Sequence, residues 1–77
     1  ITTLKYFIPR DSFVNVAVHD MTGKMIKSIV NENQKYGSKT VQWDATNNQG
    51  ERVSAGVYFY RIKAGDFRQT NKMILLK

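Results

Sequence analysis

Three aspartates, Asp20, Asp44 and Asp66, lie beside glycine-containing turns and carry side chains suited to catalysis or metal binding. Paired carboxylates serve as general acid and base, and with Asn47 and Asn48 they would form an oxygen ligand set for calcium. The sequence, however, contains no D-x-[DN]-x-[DN]-G calcium loop. The simpler interpretation is that each aspartate caps its own turn by accepting hydrogen bonds from backbone N–H groups. We therefore predict no metal site and no cofactor.

Further side chains with catalytic chemistry are scarce. The 77 residues include no cysteine and a single histidine, His19. Without cysteine there is no disulfide, no thiolate zinc site and no cysteine nucleophile. His19 falls on the outward face of its strand if the neighbouring valines face inward, as an ordinary surface histidine does. We predict that the chain is not an enzyme.

Aromatic side chains offer a different chemistry, that of binding. Tyr58 and Tyr60 share one face of a strand, whereas Val57 and Phe59 share the other, so both faces are apolar. In a two-layer β-fold one such face fills the core, and the other is covered or forms an exposed patch. Core filling is the simpler interpretation for the two tyrosines and for Trp43. An exposed aromatic row would stack on sugar rings, and its candidates are Phe7, Tyr36, Phe59 and Phe67.

The net charge of +6 raises the question of a nucleic-acid partner. The twelve basic residues are spread along the chain, with no two adjacent and no block of like charges. Such spacing is typical of solvated charge on strand surfaces. We predict no specific nucleic-acid partner.

The apolar side chains recur with a period of two, which predicts β-strands. We expect these strands to position the carboxylates, aromatic residues and basic residues described above. The pattern begins with Leu4, Tyr6 and Ile8 and continues through later segments. The predicted strands after the first two cover 24–30, 39–44, 56–64 and 67–76, with a short edge segment at 52–53. The adjacent pair Ile29-Val30 breaks the alternation and predicts a slipped or bulged end.

Turn sequences separate the strands. D-M-T-G at 20–23, N-N-Q-G at 47–50 and A-G-D at 64–66 are typical of tight connections, and Pro9 closes the first strand. Six or seven short strands with this spacing predict an all-β fold, an antiparallel seven-stranded β-sandwich of immunoglobulin or fibronectin type III type. We expect residues 1–77 to form a single domain.

Four motifs follow one another in an order found in a known family. They are D-M-T-G-K at 20–24, V-Q-W-D at 41–44, N-Q-G-E-R-V-S-A-G-V-Y-F-Y-R-I at 48–62 and K-M-I-L-L-K at 72–77. Together they resemble the C-terminal sorting domain of the type IX (Por) secretion system of Bacteroidetes-type bacteria. The chain is also similar to the immunoglobulin-like domain of the flagellar hook-capping protein, a sister group that shares the W-D…G…V-x-x-G-V-Y core.

The first resemblance implies a non-catalytic C-terminal module that directs an exported protein through the type IX system and anchors it. Its implied partners are translocon and sortase components and an N-terminal cargo domain in the same chain. The resemblance also implies that the protein is secreted or lies at the outer membrane or cell surface of a bacterium. The chain begins at Ile1, without the N-P-F-N-P-type segment that precedes the first strand in that family. We therefore expect a fragment of a longer exported protein.

The resemblance also assigns roles to residues. Translocon recognition would fall on the terminal strand, at Lys72, Met73, Ile74, Leu75, Leu76 and Lys77. A structural role would fall on the turn and core positions Asp20, Gly23, Trp43, Asp44, Gly50, Gly56, Val57 and Tyr58. Because 73–76 is apolar on both faces, the sequence leaves open whether this strand is buried or is offered to a receptor by strand addition.

Alternatives of a different class remain. One is a carbohydrate-binding accessory module of a polysaccharide-degrading enzyme, with a polysaccharide as partner. The other is a structural immunoglobulin-like spacer, which includes the hook-capping relative. A carbohydrate module requires a flat exposed aromatic row, and this sequence has candidates for one but a single tryptophan.

Overall fold

The computed structural model describes residues 2–76, which form six β-strands in two antiparallel sheets. The strands are β1 (Thr2–Ile8), β2 (Ser12–Asp20), β3 (Met25–Gln34), β4 (Gly37–Trp43), β5 (Gly56–Ala64) and β6 (Phe67–Leu75). The small sheet pairs β1 with β4, and the large sheet has the order β3-β2-β5-β6. None of residues 2–76 lies in a helix that could span a bilayer. The predicted all-β antiparallel fold is confirmed.

The predicted seventh strand is wrong. Segment 52–53 contributes only an isolated bridge between Thr46 and Arg52. The surrounding residues between β4 and β5 are rich in Asp, Asn and Gly, which favour turns over an extended ladder. Val53 packs against the core beside the buried Ala45, and its N–H donates to the Ala45 carbonyl at 2.9 Å.

The core lies between the two sheets and draws on both. In β1 the side chains alternate strictly, with Leu4, Tyr6 and Ile8 buried and the residues between them exposed. Their apolar side chains pack against buried positions of the large sheet, and this gives two adjoining clusters. One cluster contains Tyr6, Ile8, Val14, Val16, Val30, Ile62 and Ala64, and the other contains Leu4, Val18, Trp43, Ala45, Tyr58 and Leu75.

The edge strand β3 carries the irregularity that the sequence predicts. Val16 pairs with Val30 but Ala17 pairs with Ser28, so Ile29 is an extra residue and forms a bulge. The bulge turns Ile29 partly toward the core, where it packs against both clusters. The predicted bulge is confirmed, although the strand continues past it to Gln34.

The free edge of β3 is partly covered by the loop between β4 and β5. Asn48 donates its backbone N–H to the Ile26 carbonyl at 3.0 Å, and its side-chain Oδ1 accepts the Ser28 N–H at 3.1 Å. One residue thus satisfies backbone groups that an edge strand otherwise leaves open to pairing with another chain.

Candidate functional site

Two turns share the same hydrogen-bonding pattern. Asp20 Oδ1 accepts the N–H groups of Thr22 and Lys24 at 2.9 and 3.0 Å, and Asn47 Oδ1 accepts those of Gln49 and Glu51 at 3.0 and 2.9 Å. Each side chain thereby holds the backbone two and four residues further along. The turns end at Gly23 and Gly50, whose φ angles of 90° and 82° disfavour residues with a side chain.

Asp44 organises the turn that follows β4. Its Oδ1 accepts hydrogen bonds from the backbone N–H and the hydroxyl of Thr46 and lies 3.5 Å from Lys27 Nζ. The chain passes through Ala45 with φ 64°, a conformation that costs free energy for a non-glycine residue. The indole Nε1 of Trp43 donates to the Thr46 carbonyl at 2.9 Å and closes the turn from its other side.

The carboxylates of Asp20 and Asp44 accept hydrogen bonds from the backbone N–H groups and the threonine hydroxyls of their own turns. The hydroxyl of Thr22, together with nearby backbone N–H groups, lowers the pKa of Asp20 below the ordinary aspartate value. The hydroxyl of Thr46, assisted by the charge of Lys27, lowers the pKa of Asp44 in the same way. No group of three or more metal-ligating side chains occurs within residues 2–76.

These two pKa shifts predict a loss of stability in acid. A carboxylate whose pKa is lower in the folded state stabilises the fold above its unfolded pKa, near 4, and that stability disappears as the pH falls through the folded value. The free energy of unfolding should therefore decrease below about pH 4. The double variant Asp20→Asn, Asp44→Asn keeps the acceptor oxygens but cannot titrate. In urea unfolding from pH 6 to pH 2 it should start less stable and converge on the parent. Parallel curves would contradict this account.

The largest side chain of the core lies beside these turns. Trp43 is 1% exposed, and its ring meets that of Tyr58 edge-on, with centroids 5.5 Å apart. Tyr58 donates its hydroxyl to the Ser54 carbonyl at 2.6 Å, so both aromatic residues also bind the loop between β4 and β5. Gly56 and Val57 begin β5 next to this pair, and Val57 faces outward. The W-D and G-V-Y motifs thus meet at one end of the core.

The terminal strand β6 alternates between the two faces of the large sheet. Met73 and Leu75 point inward and pack with the second core cluster, whereas Lys72 and Ile74 point outward. Ile74 is 62% exposed, and Leu76, which follows the strand, is 82% exposed. This strand is therefore buried on one face and open on the other. Lys77 lies outside the described residues.

The outer face of the large sheet gathers cations that are separate in the sequence. We name Arg61, Lys63, Arg68 and Lys72 the basic face; all four are exposed and point outward from β5 and β6. No two of these cations are adjacent in the sequence, so no run of charge marks the basic face. A usable signal was present, since the 64–66 turn predicts a hairpin, and the basic residues on each arm stand an even number of positions apart, which places them on one face.

The four aromatic candidates do not form a row. Phe7 lies on the small sheet, Tyr36 lies in the turn before β4, and Phe59 lies on the outer face of the large sheet. Phe67 is partly buried against the first core cluster. Because these rings are distributed over different elements and faces, no flat platform for a sugar chain results.

Comparison with known proteins gives one family for this architecture. The family model described as FlgD Ig-like domain matches residues 3–66. The chain belongs to this family. A crystal structure of FlgD from P. aeruginosa superposes with a TM-score of 0.75 at 24% identity and covers 96% of this chain. The match spans 61% of the P. aeruginosa chain, and no curated protein matches the sequence.

The family corrects two functional predictions. The prediction of a type IX sorting module, with translocon, sortase and cargo as partners, is wrong, because the matching family and structure are those of FlgD. The alternative of a carbohydrate-binding module of a polysaccharide-degrading enzyme is wrong for the same reason. The similarity to the hook-capping immunoglobulin-like domain is confirmed, and the family is one of structural, non-enzymatic domains.

Proposed function

We propose that this chain is a non-catalytic structural module of a flagellar hook-capping protein. The observation that carries the proposal is the match of residues 3–66 to the FlgD Ig-like domain family. The architecture supports it, since two sheets share one core and the motif residues of the turns and the core hold backbone in place. Such a module acts by presenting a stable shape to its neighbours.

The proposal also includes the sandwich architecture, the extent of the domain and its cellular location. We assign the two sheets to an immunoglobulin-like β-sandwich, in which the small sheet covers the inner face of the large one. Residues 1–77 would act as one domain, and this is supported by the second core cluster, which draws on strands from β1 to β6. We further propose that the domain works outside the cytoplasm, at the bacterial cell surface.

A domain exchange tests the proposal. The matching segment of P. aeruginosa FlgD would be replaced by this chain and expressed in a strain without its own FlgD. We expect hooks to be visible by electron microscopy and swimming to be partly restored relative to the strain without FlgD. A chimera with Trp43→Ala serves as the control and should fail, because this substitution removes the largest core side chain.

One outcome of the domain exchange would contradict the proposed hook-capping role. If the parent chimera accumulates to the level of native FlgD and its inserted domain resists proteolysis, yet no hooks form, a hook-capping role for this chain is wrong. Native FlgD expressed from the same vector must restore hooks in the same experiment.

A further inference from the structure

The basic face places like charges in direct opposition. Lys63 lies opposite Arg68 in the antiparallel register, and Arg61 lies opposite Thr70 with Arg68 and Lys72 at the two diagonal positions. Directly opposed side chains have Cβ atoms about 4.5–5.5 Å apart, and like charges at that distance destabilise a sheet. The fold gains nothing from this arrangement.

No acidic side chain within residues 2–76 neutralises the basic face. The one salt bridge among these residues joins Lys27 to Asp44, which lie elsewhere in the fold. The carboxylate of Asp20, at the end of β2, is occupied by the N–H groups of its own turn. The four cations therefore face solvent unpaired by any described residue.

A shallow groove crosses the outer face of the large sheet and passes over three of these four cations. Its basic part is lined by Arg61, Lys63, Arg68, Gln69 and Thr70. An adjoining depression shares Arg61 and Thr70 and continues past His19, Asp20 and Phe59 to the exposed Met21. The groove is thus basic at one end and mainly apolar at the other, where the Asp20 carboxylate accepts the N–H groups of its own turn.

We propose that this groove is the docking surface for an acidic, extended polypeptide segment of a partner protein. Alternate side chains on a strand repeat every ~6.6 Å, so carboxylates on alternate residues of an extended segment match the spacing of Arg61 to Lys63. Carboxylates four residues apart, at ~13 Å, match the spacing of Arg68 to Lys72. Charge complementarity of this kind sets the partner and its orientation. The half-buried Phe59 and its apolar neighbours supply the uncharged contact that protein interfaces use.

Other occupants fit the groove less well. A second copy of this chain carries the same net charge of +6 and would bring like charges together. A single-stranded nucleic acid needs aromatic platforms between its cations, whereas here Phe59 is accompanied by Val57, Met21 and Ile74, which cannot stack on bases.

The binding test uses the 77-residue chain and a short fluorescein-labelled peptide in which Glu alternates with Thr. We expect fluorescence anisotropy to show binding that weakens about tenfold in the double variant Lys63→Ala, Arg68→Ala. The matched control, Lys5→Ala with Lys35→Ala, removes the same charge from exposed positions on β1 and before β4 and should bind as the parent does. Thermal unfolding of the Lys63→Ala, Arg68→Ala variant should occur at or above the parent temperature, because opposed like charges are relieved.

Reversing the charge of the groove should create binding of a basic peptide, and a misfolded protein would not show such a gain. The variant Lys63→Glu, Arg68→Glu should lose the Glu–Thr peptide and bind a Lys–Thr peptide more tightly than the parent does. Equal loss in both alanine variants, or no gain on reversal, would overturn the proposal. So would tighter binding of oligothymidylate or of phosphatidylglycerol vesicles than of the Glu–Thr peptide at physiological salt. The measurement needs no flagellum, so a failed domain exchange and a failed docking surface are distinguishable.

Discussion

Trp43→Ala should leave the protein largely unfolded at room temperature. Trp43 is 1% exposed and contacts Tyr58 edge-on, so its truncation leaves a cavity at one end of the core. Replacing a buried tryptophan by alanine costs about 3–5 kcal/mol. A single small core of this size seldom supplies more than about 3–5 kcal/mol of net stability. The loss therefore matches the whole stability of the domain, as circular dichroism and urea unfolding should show.

Trp43→Phe separates the two roles of this residue. Phenylalanine retains a ring in the core but cannot donate to the Thr46 carbonyl, which accepts the indole N–H at 2.9 Å. A lost hydrogen bond costs about 0.5–1.5 kcal/mol, and a smaller ring adds a partial cavity. We expect a folded protein with a lowered unfolding midpoint. A cooperative transition for Trp43→Ala within a few degrees of the parent would show that this side chain is not central to the core.

The strands were predictable where one face is buried and the other solvated. In β1 and in the second half of β5 the alternation is regular, and residues such as Leu4 and Ile62 are buried as their period requires. The pattern fails in the second half of β3, where N-E-N-Q is polar throughout. That segment is a strand because its backbone pairs with the first half of β2, from Ser12 to Asn15. Pairing of this kind depends on the partner strand and leaves no trace in the local sequence.

The motifs could not distinguish between related functions. Asp20 and Gly23 serve a turn, and Trp43 and Tyr58 fill the core beside the loop that follows β4. Any domain with this turn and this core requires these residue types, whichever assembly it serves. A sorting domain and a hook-capping domain therefore share them for physical reasons. Specific function depends on the exposed faces, where the sequence pattern is least constrained.

The basic face is formed by the fold and not by neighbouring residues of the sequence. Arg61 and Arg68 are seven positions apart, and only the register of the β5–β6 hairpin makes them neighbours. Charge counted along the chain appears dispersed, whereas charge counted on the folded sheet is clustered. The net charge is the same in both descriptions, so its distribution over faces carries the information about a partner.

Adjacent residues of β5 should respond oppositely to the same substitution. Ile62 is fully buried in the first core cluster, and Lys63 is exposed on the basic face opposite Arg68. Truncation of a buried isoleucine costs about 2–5 kcal/mol, because the lost contacts leave a cavity that the close-packed sheets cannot fill. Lys63→Ala removes one of two opposed like charges and should leave the free energy of unfolding unchanged or raised by up to about 1 kcal/mol. Urea unfolding of both variants at low and high salt measures this, since salt screening should abolish the gain for Lys63→Ala and leave the loss for Ile62→Ala in place.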